Sequence, residues 1–511
     1  MLRVIEQIDS YATIKKDTVA YCNHSPIYGK QELTYGQLKD FSDTLAFYLQ
    51  SVLGDNKAPL VVYGHKNPYM LVCFLACVKS GRVYCPVDIS VPMERIKNII
   101  DETNTPFVLS TEPLEIEGHR IINLKEMKLI AEGNPHTVDA SWFLSGEDVY
   151  YIIFTSGSTG KPKGVQITEN CLHHFLQWAI TLGNKNLKEK QCIFLNQAPF
   201  SFDLSVMDLY MSLYLGGTLW SLEKSVQTDS NELLESLRRS QVNVWVSTPS
   251  FANLCLANQV FDDSLMPQME LFLFCGETLT NYTAKNLQRR FPKATIVNTY
   301  GPTESTVAVT SVVVTEEICS RCHPLPVGKP KIGTFLSIVD PDGNLLPEKE
   351  TGEILITGDS VSVGYYNQPD LTAKSFSTRK VNGEIYRSYR TGDAGYLWDG
   401  QLYYCGRMDL QVKLHGYRIE IEDIENNLLK VPGIKNAVVV PNIKGGMADS
   451  LSAFVVADYQ VENKLREAQS IRKQLSQFLP LYMIPKKFVF TDSIPMTNNG
   501  KADRKKLMGV M

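Results

Sequence analysis

Thr155, Ser156, Gly157, Ser158, Thr159, Gly160, Lys161 and Lys163 form the densest run of anion-binding residue types in this 511-residue chain. Glycines open backbone angles closed to other residues and free N–H groups to converge on an anion, while hydroxyls add donors and lysines add charge. The chemistry is phosphate binding. The familiar P-loop pattern is not met, because Thr155 stands where it requires glycine and Pro162 where it requires Ser or Thr. Proline donates no N–H and resists a helix interior, so the loop is expected to move and not to feed directly into a phosphate-binding helix. A glycine-serine linker is opposed by the apolar strand pattern YIIF before it and VQIT after it.

Three further clusters carry chemistry. In NTYGPTE, residues 298–304, Tyr300 beside Gly301-Pro302 can present a flat ring, and Thr303 with Glu304 can meet a phosphate-bound Mg2+, a hard ion that prefers oxygen. In YRTGDAG, Asp393 behind a glycine turn suits ribose hydroxyls. In PMTNNGKADRKKL, Lys501 follows two asparagines and a glycine. Asp203 in FSFDLSVMD is a carboxylate in an apolar stretch, costly to bury unpaired. A substrate ammonium would resolve that cost, and so would an N-cap serving a helix over 204–215. Each cluster alone reads as a turn with a charged residue.

The elements that must position these residues follow from periodicity. Residues 33–52 are helical in period, PLVVYG and VYCPVD read as strands, and NPYMLVCFLACVKSG reads as a helix ending at Gly81. Strand and helix alternate through at least residue 310, which implies parallel sheets covered by helices. From about residue 326 shorter strands and many turns indicate a β-rich subdomain. In the last hundred residues EIEDIENNLLKVPG and IRKQLSQFLP read as helices, NAVVVP and LSAFVVADY as strands, forming a small α+β unit. The expected class is α/β, with a large domain over 1–407, its β-rich part over about 326–407, and a small mobile domain over 408–511.

Composition is that of an ordinary globular protein, 44% hydrophobic and 21% charged. A net charge of −4 with no long basic block argues against nucleic-acid binding. Glu6 and Asp9 interrupt the apolar pattern of the N-terminus, which reads as a helix and not a signal peptide. YMLVCFLACV is about half the length that spans a bilayer, so no membrane insertion is expected. Eleven scattered cysteines give no disulfide framework, and Cys319 and Cys322 with His323 lack the second half of a zinc site. The pattern suits a reduced, cytoplasmic protein.

TSGSTGKPKG, FDLS, NTYGPTE, YRTGD, GRMDLQVKLHGYRIE, LPLYMIP and NGKADR, in this order, resemble the successive motifs of adenylate-forming enzymes across nearly the whole chain. The amino-acid-activating branch, which includes nonribosomal peptide synthetase adenylation domains, is nearest. The resemblance implies a ligase of two steps: a carboxylate attacks the α-phosphate of ATP to give an acyl-adenylate and pyrophosphate, then a phosphopantetheine thiol on a carrier protein takes the acyl group and releases AMP. It implies that the 155–160 loop and Lys163 hold phosphates and that Glu304 holds Mg2+. Asn298, Thr299, Tyr300, Gly301, Pro302 and Thr303 would line the adenine and α-phosphate side, with Tyr300 stacking on the base. Asp393 would bind ribose, Tyr404, Cys405, Gly406 and Arg407 would lie beside the nucleotide, and Lys501 would bridge substrate carboxylate and phosphate.

By the same resemblance Asp203 takes the substrate ammonium. Cys275 with Gly276 and Glu277 stands where related activators have Gly-Gly-Glu, which shrinks the pocket, and Val307 adds to its wall. NQAPFSFDLSVMD, WVSTPSF, LFLFCGE, PLPVG and KLHGYR match members that activate D-alanine for a separate carrier protein in lipoteichoic acid D-alanylation. Asp409 matches the family's hinge, about which the small domain would rotate between half-reactions. His415 replaces a common arginine and Ala502 a frequent valine. Ser450 in GGMADSLSAF resembles a carrier attachment site, but strand patterns on both sides favour a surface hairpin. The rival readings are a ligase for another small amino acid, an acyl-coenzyme A ligase, which has no use for Asp203, and a non-catalytic binding protein of the same fold.

Overall fold

A computed structural model describes residues 3–26, 29–156, 162–408, 411–444, 447–496 and 502–509. The chain divides into two compact units: Met1–Asp88 with Thr103–Ile153 and Gly164–Gly406, and Ile89–Glu102 with Phe154–Lys163 and Arg407–Met511.

The larger unit is built on the expected parallel sheets. One sheet of nine strands runs in the order Lys329–Pro330, Thr310–Val313, Thr295–Tyr300, Leu271–Phe274, Val244–Ser247, Ile193–Asn196, Thr218–Ser221, Val19–Ser25, Gly29–Thr34. Its six central strands are parallel and its edges antiparallel. The central strands are buried at nearly every position, as strands covered on both faces must be. A second sheet of six strands contains Leu60–Tyr63, Tyr84–Val87 and Val149–Thr155, and Lys163–Thr168 forms its edge.

The apolar window YMLVCFLACV forms the helix Tyr69–Lys79, every residue of which is buried. A helix apolar on all sides belongs inside a large core and not in a bilayer at this length. Its last residue, Lys79, is also buried and is paired with Asp43 at 2.6 Å and Asp9 at 2.7 Å. The helix expected over 33–52 spans Tyr35–Leu53, with Thr34 and Gln37 forming a capping box. Among the described residues no helix is long and apolar enough to cross a membrane.

The turn-rich stretch folds as an antiparallel sheet of Thr334–Val339, Gly352–Gly358, Phe376–Val381, Glu384–Trp398 and Gln401–Arg407. In the smaller unit, Ile434–Lys444 and Met447–Ala457 form an antiparallel hairpin, and Lys487–Phe490 adds in parallel. Ser450 lies inside that hairpin opposite Asn442 and is 8% exposed, a strand residue without the helical surroundings of a carrier site. The helix expected from Ile471 spans Lys464–Leu475, starting seven residues earlier. Asn463 caps it by accepting from the N–H groups of Leu465 and Arg466, a signal the apolar pattern alone does not contain. All eleven cysteines are free thiols.

Candidate active site

The carboxyl ends of neighbouring parallel strands are where open α/β sheets place ligands. Three such ends carry the residues expected to receive an amino acid: Asp203 follows Ile193–Asn196, Cys275 and Gly276 follow Leu271–Phe274, and Asn298 to Tyr300 close Thr295–Tyr300. Asp203 stands immediately before the helix Leu204–Tyr214 but makes no side-chain cap. Its Oδ2 instead accepts from the Thr303 hydroxyl at 2.7 Å. The capping alternative is therefore not realised, and the carboxylate is turned toward the 298–304 segment.

Cys275 is buried, and its thiol faces the carbonyl of Val307 at 3.5 Å. Val307 and Thr306 both hold left-handed backbone, with φ of 67° and 61°. A β-branched residue rarely adopts that conformation, so surrounding structure must impose it. Thr306 is held by its hydroxyl on the carbonyl of Ser360 at 2.8 Å, and Val309 N–H bonds the carbonyl of Tyr300 at 2.8 Å. Gly301 explains the crowding: a Cβ there would lie 2.5 Å from Ala308 Cα and 2.9 Å from the Val307 carbonyl oxygen. Gly276 differs, since a Cβ would meet only Thr248 at 3.7 Å and its φ of +88° is what calls for glycine.

The nucleotide-side candidates are linked to one another. Tyr300 donates its hydroxyl to Asp393 Oδ2 at 2.6 Å, and its ring centroid lies 5.7 Å from that of Tyr404. Burial first, and the Asp393 charge second, push the Tyr300 phenol well above its ordinary range, so it stays a donor. Asp393 is aimed by a bulge: between Glu353 and Leu355 the register with Glu384–Trp398 shifts, and Gly392 takes φ of 68°. Glu353 fixes that bulge by accepting from the Gly392 N–H at 2.9 Å and from Arg390 Nε at 2.8 Å. Thr299 donates to the Phe274 carbonyl and Asn298 to the Pro326 carbonyl, at 2.8 and 2.9 Å. Pro302 leads into the single turn Thr303–Ser305. Tyr404, Gly406 and Arg407 are half-buried, and Cys405 is exposed.

Glu304 is fully buried and accepts from the Tyr365 hydroxyl at 2.8 Å. Its hard anionic oxygens suit Mg2+, which takes one or two carboxylates and completes its shell from phosphates and water. Among the described residues no group of three or more His, Cys, Asp or Glu could hold a metal by itself.

Of the phosphate loop, Gly157, Ser158, Thr159 and Gly160 lie outside the described residues, as do Lys501 and Asp409. Thr155 is half-buried and its hydroxyl meets the Lys163 carbonyl at 3.5 Å. Within the smaller unit Lys163 pairs with Glu420 at 3.0 Å, and the Ser156 hydroxyl donates to the Arg418 carbonyl at 2.8 Å. The ends of the segment carrying Lys501 are closed by a bridge between Met496 and Ala502. Just beyond, Arg504 Nη2 reaches both oxygens of Glu425 at 2.7 Å.

Residues 9–366 match the family model described as AMP-binding enzyme, and residues 423–501 match the AMP-binding enzyme C-terminal domain. The chain belongs to the AMP-binding enzyme family. This AMP-binding enzyme is 47% identical, over 99% of its length and 99% of theirs, to proteins named D-alanine–D-alanyl carrier protein ligase from Bacillus thuringiensis (strain Al Hakam) and Bacillus anthracis (strain CDC 684 / NRRL 3495). Its fold matches a holo nonribosomal peptide synthetase protein containing adenylation and PCP domains, with a TM-score of 0.84 and 25% identity over 100% of this chain and 84% of that one. It also matches the Vibrio cholerae adenylation domain AlmE in complex with glycyl-adenosine-5'-phosphate, with a TM-score of 0.82 and 24% identity over 99% of this chain and 97% of that one.

Proposed function

We propose that this enzyme activates D-alanine with ATP to D-alanyl-AMP, releasing pyrophosphate, and passes the D-alanyl group to the phosphopantetheine thiol of a separate carrier protein. The end use would be D-alanylation of lipoteichoic acid. The observations that support the reading are the Thr303–Asp203 and Cys275–Val307 contacts, on a chain 47% identical over 99% of its length to D-alanine–D-alanyl carrier protein ligases. Asp203 offers a carboxylate to an ammonium, whereas a fatty acyl chain brings no group to neutralise it. Cys275 and the Val307 carbonyl narrow the space beside the substrate Cα, which selects a small side chain and one hand.

The substrate carboxylate is already a nucleophile, so the first step needs no base. Its oxygen bonds to the α-phosphorus as the bond to pyrophosphate breaks, and negative charge gathers on the leaving group. Fixed cations and donors at that charge are then the main source of acceleration. Lys501 is assigned that task. At about 4 Å and an effective dielectric of about 20, one charge pair contributes on the order of 4 kcal/mol. Tyr300 and Asp393 are assigned the nucleoside, and the 155–160 loop with Lys163 the phosphates. Mg2+ bound at Glu304 would neutralise phosphate charge. Lys163 must exchange Glu420 for phosphate to take part.

ATP–pyrophosphate exchange with D-alanine, L-alanine, glycine and serine tests the reading. D-Alanine is expected to give the highest kcat/KM, and Lys501→Ala to lower exchange by roughly several hundredfold or more. Stronger exchange with L-alanine would overturn the substrate, and undiminished exchange in Lys501→Ala would overturn the mechanism.

A further inference from the structure

The chain that carries Asp203 is fastened by a buried amine that the proposed mechanism does not use. Lys66, just after the strand Leu60–Tyr63, is 2% exposed. Its Nζ donates to Asn196 Oδ1 and to the carbonyl of Ala198, and stands 4.4 Å from the centroid of the Phe200 ring. All three partners lie between the carboxyl end of Ile193–Asn196 and Asp203. Two oxygen acceptors and an aromatic face are the surroundings that hold an ammonium.

The amine is tied at its other end as well. The Lys66 carbonyl accepts from the Tyr21 hydroxyl and from Asn23 Nδ2, the latter at 2.7 Å. Burial pushes the Lys66 amine down to about 7, and the carboxylates of Asp208 and Asp88 oppose that shift. Asp208, on the helix Leu204–Tyr214, accepts from Asn196 Nδ2 at 2.8 Å, and Asp88 is paired with His65 at 2.6 Å. A buried cation is weak evidence for stability, because a well-packed apolar residue commonly serves as well. What this one holds is the chain immediately ahead of the substrate carboxylate.

We infer that Lys66 is a positioning residue for amino-acid binding: through Asn196, Ala198 and Phe200 it fixes the path of residues 197–203 and so the placement of the Asp203 carboxylate against the incoming ammonium. The inference rests on the assignment of Asp203 made above. Misplacing a binding group by about 1 Å costs up to roughly a hundredfold, and here the loss falls on the amino acid and not on ATP.

Pyrophosphate exchange by the full-length enzyme, with D-alanine and ATP varied separately, tests this in four variants. Lys66→Met is expected to raise the KM for D-alanine about tenfold or more and leave that for ATP within about twofold. Lys66→Arg keeps a cation for the same acceptors and recovers part of the loss. Phe200→Leu removes the ring face and raises the D-alanine KM about threefold; it decides the matter if Lys66→Met does not fold. Equal rises in both KM values, or an unchanged D-alanine KM in the deciding variant, overturn the inference. Asp203→Ala separates the two claims. No change in its D-alanine KM overturns the role of Asp203 and this inference with it, whereas a rise there with none in Lys66→Met overturns the role of Lys66 alone.

Discussion

Thr303 meets Asp203 across 100 positions of sequence, and Tyr300 meets Asp393 across 93. Each pair joins one residue of the NTYGPTE segment to a carboxylate on another element, Asp203 ahead of the helix Leu204–Tyr214 and Asp393 within the strand Glu384–Trp398, so that segment organises both halves of the site. Removing the Tyr300 hydroxyl leaves an oxygen of a nearly fully buried carboxylate short of a donor, a loss of about 1–3 kcal/mol. Tyr300→Phe is accordingly expected to lower the thermal midpoint and raise the KM for ATP while sparing that for D-alanine. Because burial and Asp393 hold the phenol protonated well above its ordinary range, the ATP KM of the parent enzyme should show no tyrosine limb as pH is raised to about 10. A limb there would mean that the hydroxyl is solvated. Cys275→Gly removes the side chain that meets Val307, and a methylene-sized change in a pocket is worth about 1–3 kcal/mol. The preference for D- over L-alanine in pyrophosphate exchange should fall about tenfold or more. An unchanged ratio would show that chirality is read elsewhere.

Among the elements, regular strands and helices were legible because burial writes itself into their period. The apolar runs VNVWV and LFLF become parallel central strands, and the window YMLVCFLACV becomes a helix buried on all sides. Irregular backbone was not legible. Nothing in the types Thr306 and Val307 announces consecutive left-handed residues, and the chain there passes so close to Gly301 that a Cβ on Gly301 would clash with Ala308. The bulge that aims Asp393 is set by Glu353 on a neighbouring strand, a partner that no local pattern names. Lys66 was missed for the same reason, since its partners lie about 130 positions away. The Lys501 segment is a case where such distant contacts predict function. Arg504 holds Glu425, which also accepts from Val439 N–H at 2.7 Å, so one carboxylate ties the segment's downstream end to both a helix and a strand. Arg504→Ala should loosen that end, lowering kcat for adenylate formation by about tenfold with little change in either KM. A change confined to KM would assign Arg504 to substrate binding.

For the whole molecule, the decisive question is how one chain serves two successive reactions. The chain leaves its larger compact unit at Gly406 and enters the smaller one at Arg407, and Asp409 follows two residues later. We propose that rotation about Asp409 withdraws Lys501 after adenylation and lets the carrier's thiol approach, one site doing two jobs in sequence. Proline at a hinge fixes φ and removes an N–H, so it restricts the backbone to the conformations compatible with that angle. Asp409→Pro alters none of the side chains assigned to ATP and D-alanine. Pyrophosphate exchange, which reports adenylate formation alone, should therefore stay within about twofold of the parent, while D-alanyl transfer to the carrier falls by about a hundredfold, on the order of 3 kcal/mol in the barrier. Single-turnover transfer from preformed D-alanyl-AMP isolates the second step from the first. Equal losses in both assays would remove the hinge from the mechanism and leave Asp409 a structural residue. Loss of exchange with transfer intact would reverse the assignment, making the unrotated arrangement the one that proline excludes.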